Sequence, residues 1–172
     1  MGSIPGLPDG VRTKLFRAIV QVLKADPVLS QIVERWWEWT SSPTDTGDIP
    51  VPEGGKVNMR LTPRMNTFAP WTPDSMTGWL AIKIEATIPG TNVDDYLNLQ
   101  DAIENAIYKP NHKDSIALQV RFQQIMAPNS GATTGQIVFF APVYDDTLPE
   151  RTDNNFYVLG EMRIEIRKLM QR

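Results

Sequence analysis

Apolar residues recur at helical spacing over the first third of the chain. Between residues 11 and 22 they occupy every third or fourth position, which predicts an amphipathic helix. Pro27 disfavours helical geometry at Asp26, so this helix should end near Ala25. Asp26 and Pro27 then fit the N-cap and first position of a second helix. The apolar spacing predicts that this second helix continues through Trp36.

A third helical pattern, over residues 92–108, has the clearest boundary signals. Asn92 is a favourable N-cap, and Asp94 and Asp95 place carboxylates beside the free N–H groups of the first turn. Apolar residues then recur every three or four positions, and Pro110 follows the end of the pattern. We therefore expect one central helix with an apolar stripe.

Alternation of apolar and polar residues indicates strands in the rest of the chain. The alternating segments are residues 57–61, 78–89, 116–122, 137–143 and 156–169. The order of these elements predicts an α+β fold. It would be a mostly antiparallel, twisted sheet of about five strands, with two N-terminal helices and one central helix packed on it. A length of 172 residues suits a single domain, preceded by an N-terminal tail over residues 1–10.

Proline-rich connections separate the predicted elements. Fourteen of the residues are proline, which fixes φ and removes a backbone donor. Residues 40–55 and 63–77 are therefore predicted to be extended loops, and residues 127–135 and 145–155 a turn and a polar loop. Loops longer than about a dozen residues in a compact domain are usually functional or disordered.

Composition excludes several classes of protein. The 17 basic and 20 acidic residues give a net charge of −3, which argues against a general polyanion binder. The absence of cysteine excludes disulfides and thiolate metal sites. No apolar run approaches the length of a membrane span, and the N-terminus lacks the features of a signal peptide. A protein made and used in the cytoplasm is the expectation.

Residues that could support catalysis form no recognisable motif. His112 is the only histidine and follows the third helix in a loop. The candidate serines lack the flanking glycines of a nucleophile elbow. Residues 54–56, Gly-Gly-Lys, lack the first glycine and the Ser/Thr of a P-loop, so a turn before a strand explains them better. Asp145 and Asp146 could ligate a cation, but a solvated loop is the simpler interpretation. We expect no enzymatic activity, no cofactor and no metal.

The aromatic residues point instead to protein contacts. Trp36, Trp37 and Trp39 cannot all face one side of a helix, and Phe68 and Trp71 lie between prolines in a predicted loop. Exposed tryptophan is enriched at interface hot spots. The alternative is that the tryptophans cover the edge of the core and pack beneath the next loop. We predict that Trp37, Trp39, Phe68 and Trp71 anchor a protein–protein interface.

The order of elements resembles that of bacteriophage tail terminator (tail-completion) proteins. The similarity covers the opening helix at 11–22, the long strand at 78–89, and the closing strand at 156–169. It also covers the central helix, with its Pro-Gly-Thr-Asn connection and its Asp-Asp-Tyr-Leu-Asn-Leu-Gln-Asp-Ala-Ile pattern. The chain departs from the simplest members in its second helix with the Trp cluster and in its long loops.

This resemblance implies a structural virion protein of the phage neck or tail, assembled in the host cytoplasm. Such a protein forms a homo-oligomeric ring, expected to be hexameric, that caps the tail tube and ends its polymerisation. The ring joins the tail to the head-completion proteins, with the sheath protein as a further candidate partner. Genomic DNA passes through the lumen without specific binding, and no membrane is involved. The alternatives are another neck or tail component, such as a head-closure or baseplate protein, and a small ligand-binding α+β domain.

Overall fold

A computed structural model of the chain describes residues 4–6, 11–38, 52–65, 69–89, 93–108, 137–151 and 156–169. These residues form three α-helices and six strands, with a short 3₁₀ turn before the second strand. The elements are α1 (Val11–Lys24), α2 (Pro27–Ile32), β1 (Val33–Glu38), β2 (Val57–Met65), β3 (Ala69–Thr72), β4 (Ser75–Ala86), α3 (Val93–Tyr108), β5 (Ile137–Arg151) and β6 (Tyr157–Leu169).

The strands form one mixed sheet in which most neighbours are antiparallel. Its order is β1-β2-β4-β6-β5, and the short β3 pairs with β4 beside this path. Only β1 and β2 are parallel among the described pairs. The predicted α+β class, with two N-terminal helices and a central helix on a mostly antiparallel sheet, is confirmed.

The helices pack on one side of this sheet, which we call the helical face. Alternation along the strands places their apolar residues on this face, where they meet the apolar stripes of α1 and α3. The fully buried core includes Met59, Leu61, Ile82, Ile84 and Met162 from the sheet, and Ile19, Leu23, Ile103 and Ile107 from the helices. No helix among the described residues is long and apolar enough to cross a membrane.

The predicted boundaries of α1 and α3 agree with the structure. Asp26 lies between α1 and α2, and its carboxylate accepts hydrogen bonds from the backbone N–H groups of Val28 (2.9 Å) and Leu29 (3.0 Å). It is therefore the predicted N-cap. Asp94 and Asp95 lie in the first turn of α3, as expected from the helix dipole.

The prediction that the second helix continues through Trp36 is wrong. The helix ends at Ile32, Val33 has extended geometry, and the next residues form β1. Trp36 lies opposite Met59 of β2, and the following residue, Trp37, lies on the other side of the sheet. Pairing with β2 therefore outweighs the helical spacing, and β-branched and aromatic side chains suit a strand better than a helix.

The predicted loop at 63–77 consists largely of strands. β2 continues through Pro63 to Met65, β3 follows, and β4 begins at Ser75. Asn58 and Thr87 form a hydrogen-bonded pair. Alternation from there puts Pro63 in a pair that needs no N–H for β4. The missing donor of proline therefore costs little at this position.

Two further differences concern the last strands. β5 extends to Arg151 and so includes much of the predicted polar loop at 145–155. The predicted strand at 116–122, the predicted turn at 127–135 and residues 40–51 of the other extended loop lie outside the described residues.

A β-bulge in β6 shifts the alternation of its side chains. Ile84 pairs with Gly160 but Glu85 pairs with Val158, so Leu159 is an extra residue on β6. Leu159 is buried in the core, whereas Val158 lies across the sheet from it, contrary to the alternation predicted for residues 158–166. The bulge is held by α3, because Tyr96 Oη and Gln100 Nε2 donate to the carbonyls of Val158 (2.6 Å) and Leu159 (2.7 Å).

Candidate protein-interaction surface

The side of the sheet opposite the helices carries charged side chains on three adjacent strands. We call this side the charged face. Because Met59, Leu61, Ile82, Ile84 and Met162 point to the helical face, the residues between them point the other way. The charged face is defined by Arg60 and Arg64 of β2, Lys83 and Glu85 of β4, and Glu161 and Arg163 of β6.

One end of the charged face holds a buried ion pair. Glu85 has a side chain only 2% exposed and accepts two hydrogen bonds from Arg60, at 2.7 and 3.0 Å. Lys83 Nζ lies 3.0 Å from the same carboxylate. The Arg60 guanidinium also lies 4.4 Å from the centre of the Phe156 ring. These charges are neutralised within the subunit, so this end of the face has a structural role.

The other end of the charged face is exposed and forms an open groove of about 390 Å³. Its lining is Arg64, Trp79, Ala81, Glu161 and Arg163, and we use "groove" for this set. The Arg64 and Arg163 side chains are 64% and 52% exposed, and both pair with Glu161, at 3.5 and 2.9 Å. Trp79 is 41% exposed. The groove therefore combines a large apolar side chain with excess positive charge, a composition that suits a macromolecular contact.

Trp37, the first predicted interface anchor, is largely buried within the subunit. It is 9% exposed, packs with Phe156, and has the Arg35 guanidinium 4.0 Å from its ring centre. Its indole N–H is buried and has no hydrogen-bond partner among the described residues. Trp37 therefore covers the sheet in the isolated chain, which matches the alternative that the tryptophans cover the edge of the core.

The other predicted anchors are only partly described. Trp71 lies on β3, which pairs with β4, and nothing can be added about its side chain. Trp39 and Phe68 lie outside the described residues. The sequence interpretation missed Trp79, although alternation along residues 79–84 places it opposite Ile82 and Ile84. That alternation was the available signal for an exposed tryptophan.

The residues weighed as catalytic or metal-binding do not converge in the described part of the chain. Residues 54 and 55 form a turn with left-handed φ values of 75° and 74°, as a turn before a strand requires. Asp145 and Asp146 lie on β5, opposite Glu161 and Gly160. His112 lies outside the described residues. Among the residues that are described, no group of three or more His, Cys, Asp or Glu could hold a metal ion.

Comparison of this chain with protein-family models and with curated protein sequences finds no match. A function must therefore be argued from the fold and its surface.

Proposed function

We propose that this protein is a structural component of a phage neck or tail that caps the tail tube as a hexameric ring. The ring ends tube polymerisation, joins the tail to the head-completion proteins and lets DNA pass through its lumen. The element order of the tail terminator family supports this proposal, since α1, β4, α3 and β6 occupy the positions that the resemblance assigns to them. The observation that carries it is the exposed groove around Trp79 on an otherwise paired and packed sheet.

Capping a tube requires binding surfaces and no bond-making chemistry. A ring subunit needs one patch for each neighbour, because cyclic symmetry brings different patches together. Further surface is needed for the tube on one side and for the head-completion protein on the other. Trp79 with two exposed arginines is the composition typical of such contacts.

The charge of the chain is consistent with a DNA conduit that does not bind DNA. A net charge of −3 gives little general attraction for a polyanion. Within the described residues, the strongest concentration of cations lies on the charged face, where Glu85 and Glu161 partly neutralise it. In this proposal the protein is assembled in the host cytoplasm and resides in the virion, with the sheath protein as a further candidate partner.

The test is a tube-assembly experiment with the tube protein encoded beside the gene of this chain. Tube subunits are polymerised with increasing amounts of the purified protein, and tube lengths are measured by negative-stain electron microscopy. We expect the mean length to fall as the protein is added, with a ring at one tube end. The variant Lys56→Ala, changed at an exposed residue away from the groove, should shorten tubes equally well.

Two results would speak against this function. A protein that stays monomeric at every concentration and leaves tube lengths unchanged is not a tube cap. Rings that leave tube length unchanged but bind the head portal would favour the alternative of a head-closure protein.

A further inference from the structure

We propose that neighbouring copies of this chain bind each other by docking the outward side of α3 of one copy into the groove of the next. This inference rests on the proposed function, because a ring requires a repeated contact between unlike patches. It assigns both patches and the residues at their centres. The occupant of the groove is therefore a second copy of this chain.

The outward side of α3 is acidic around an apolar centre. All four charged residues of this helix are acidic, namely Asp94, Asp95, Asp101 and Glu104. Leu97 is 50% exposed. It lies three, four and seven residues from Asp94, Asp101 and Glu104, so these side chains share one side of the helix. Val93, one turn before Leu97, is 59% exposed and extends the apolar centre.

The groove has the complementary composition. Trp79 supplies an exposed apolar surface, and Arg64 and Arg163 stand beside it with only Glu161 as a negative charge. Only five large apolar residues are exposed in the described part of the chain, and three of them are Trp79, Val93 and Leu97. Each patch thus has an apolar centre with charges of one prevailing sign around it. Docking would place Leu97 against the indole and the carboxylates near the guanidinium groups.

The two patches cannot meet within one subunit. α3 packs on the helical face through Leu99, Ile103 and Ile107, whereas Trp79 lies on the charged face. A contact between them must therefore join two copies front to back, and a repeated contact of this kind closes into a ring or continues as a filament.

The neighbouring helix restricts where the groove can dock. α1 packs beside α3, and all of its charged residues are basic. A positively charged groove is therefore repelled from α1 and attracted to α3, which fixes the position of the contact.

Cross-linking tests the contact directly, because the chain contains no cysteine. Ala81→Cys puts a thiol in the groove and Leu97→Cys puts one on α3. We expect a short bis-maleimide to join copies in a mixture of the two single variants and not in either variant alone. Equal cross-linking of one variant with itself would indicate a contact between like patches, and rings without any mixed product would contradict the proposal.

Charge reversal gives a second test with its own rescue. Arg64→Glu with Arg163→Glu makes the groove acidic, and Asp101→Lys with Glu104→Lys makes α3 basic. Each double variant alone should associate about tenfold more weakly or worse. An equal mixture should assemble as the native protein does, since alternating the two variants around an even-numbered ring matches every contact. Sedimentation velocity measures both effects.

The control and the outcomes separate this inference from the proposed function. Glu53→Lys with Lys56→Glu, which reverses two exposed charges elsewhere, should assemble normally. If both reversed variants form normal rings that still cap tubes, the contact is wrong and the proposed function stands. If the native protein forms no rings and caps no tubes, both fail.

Discussion

Replacing Glu85 by Gln should destabilise the fold far more than the same change at an exposed ion pair. Glu85 is 2% exposed, and its carboxylate lies within 3.0 Å of both Arg60 and Lys83. The substitution preserves the shape of the side chain and removes its charge. Arg60, whose side chain is 13% exposed, then remains buried without a counter-ion.

The size of the effect follows from this burial. Removing one partner of a buried ion pair costs about 3–5 kcal/mol, because the other charge is left without compensation. Glutamine keeps one oxygen that can accept from Arg60, so we expect about 3 kcal/mol for Glu85→Gln. Replacing both partners, with Arg60→Met and Glu85→Leu, should cost within about 1 kcal/mol of nothing, because no buried charge remains in the pair.

Urea unfolding followed by tryptophan fluorescence measures these differences, since the chain has five tryptophans. The experiment is repeated at several protein concentrations, because self-association would add to the apparent stability. The matched control is Glu161→Gln, whose partner Arg64 is 64% exposed. That change should cost less than about 1 kcal/mol.

Two results would refute this account of the pair. A loss below about 1 kcal/mol for Glu85→Gln would mean that Glu85 is solvated rather than buried. A double variant as unstable as the two single variants added together would mean that the two side chains act independently.

Three further changes test other parts of the structure. Asp26→Ala removes the N-cap of α2 and should lower the unfolding free energy by about 1–2 kcal/mol, with Asp26→Asn restoring most of it in thermal denaturation. Tyr96→Phe leaves the buried carbonyl of Val158 without its donor and should cost about 1–3 kcal/mol in urea unfolding, with faster amide exchange around the bulge. Trp37→Ala should cost about 3–5 kcal/mol in unfolding and leave the association of folded subunits unchanged, whereas an interface anchor would weaken association instead.

The candidate surface was less accessible to sequence reasoning than the fold. Trp37 was selected because tryptophans cluster near it, yet it packs on Phe156, which is distant in the sequence. The groove joins residues 64, 79 and 163, which come together only through the pairing of β2, β4 and β6. Alternation along β4 could have identified Trp79 as facing away from the core. It could not have shown which charges stand beside it.

The sequence by itself determined the elements whose signals are local. The spacing of apolar residues and the boundary residues define α1 and α3, the carboxylate of Asp26 caps α2, and alternation identifies the long strands β4 and β6. These features depend on neighbours within a few positions along the chain, so they can be read without knowing the fold.

The tertiary structure decided the features that depend on strand pairing. Residues 33–38 satisfy a helical spacing but pair with β2 as a strand, and Pro63 is accepted in β2 because its missing N–H is not needed there. The bulge at Leu159 moves its side chain into the core, and two side chains of α3 satisfy the neighbouring carbonyls. Backbone hydrogen bonds to distant strands outweigh local preference at these positions, and those partners cannot be read from the local sequence.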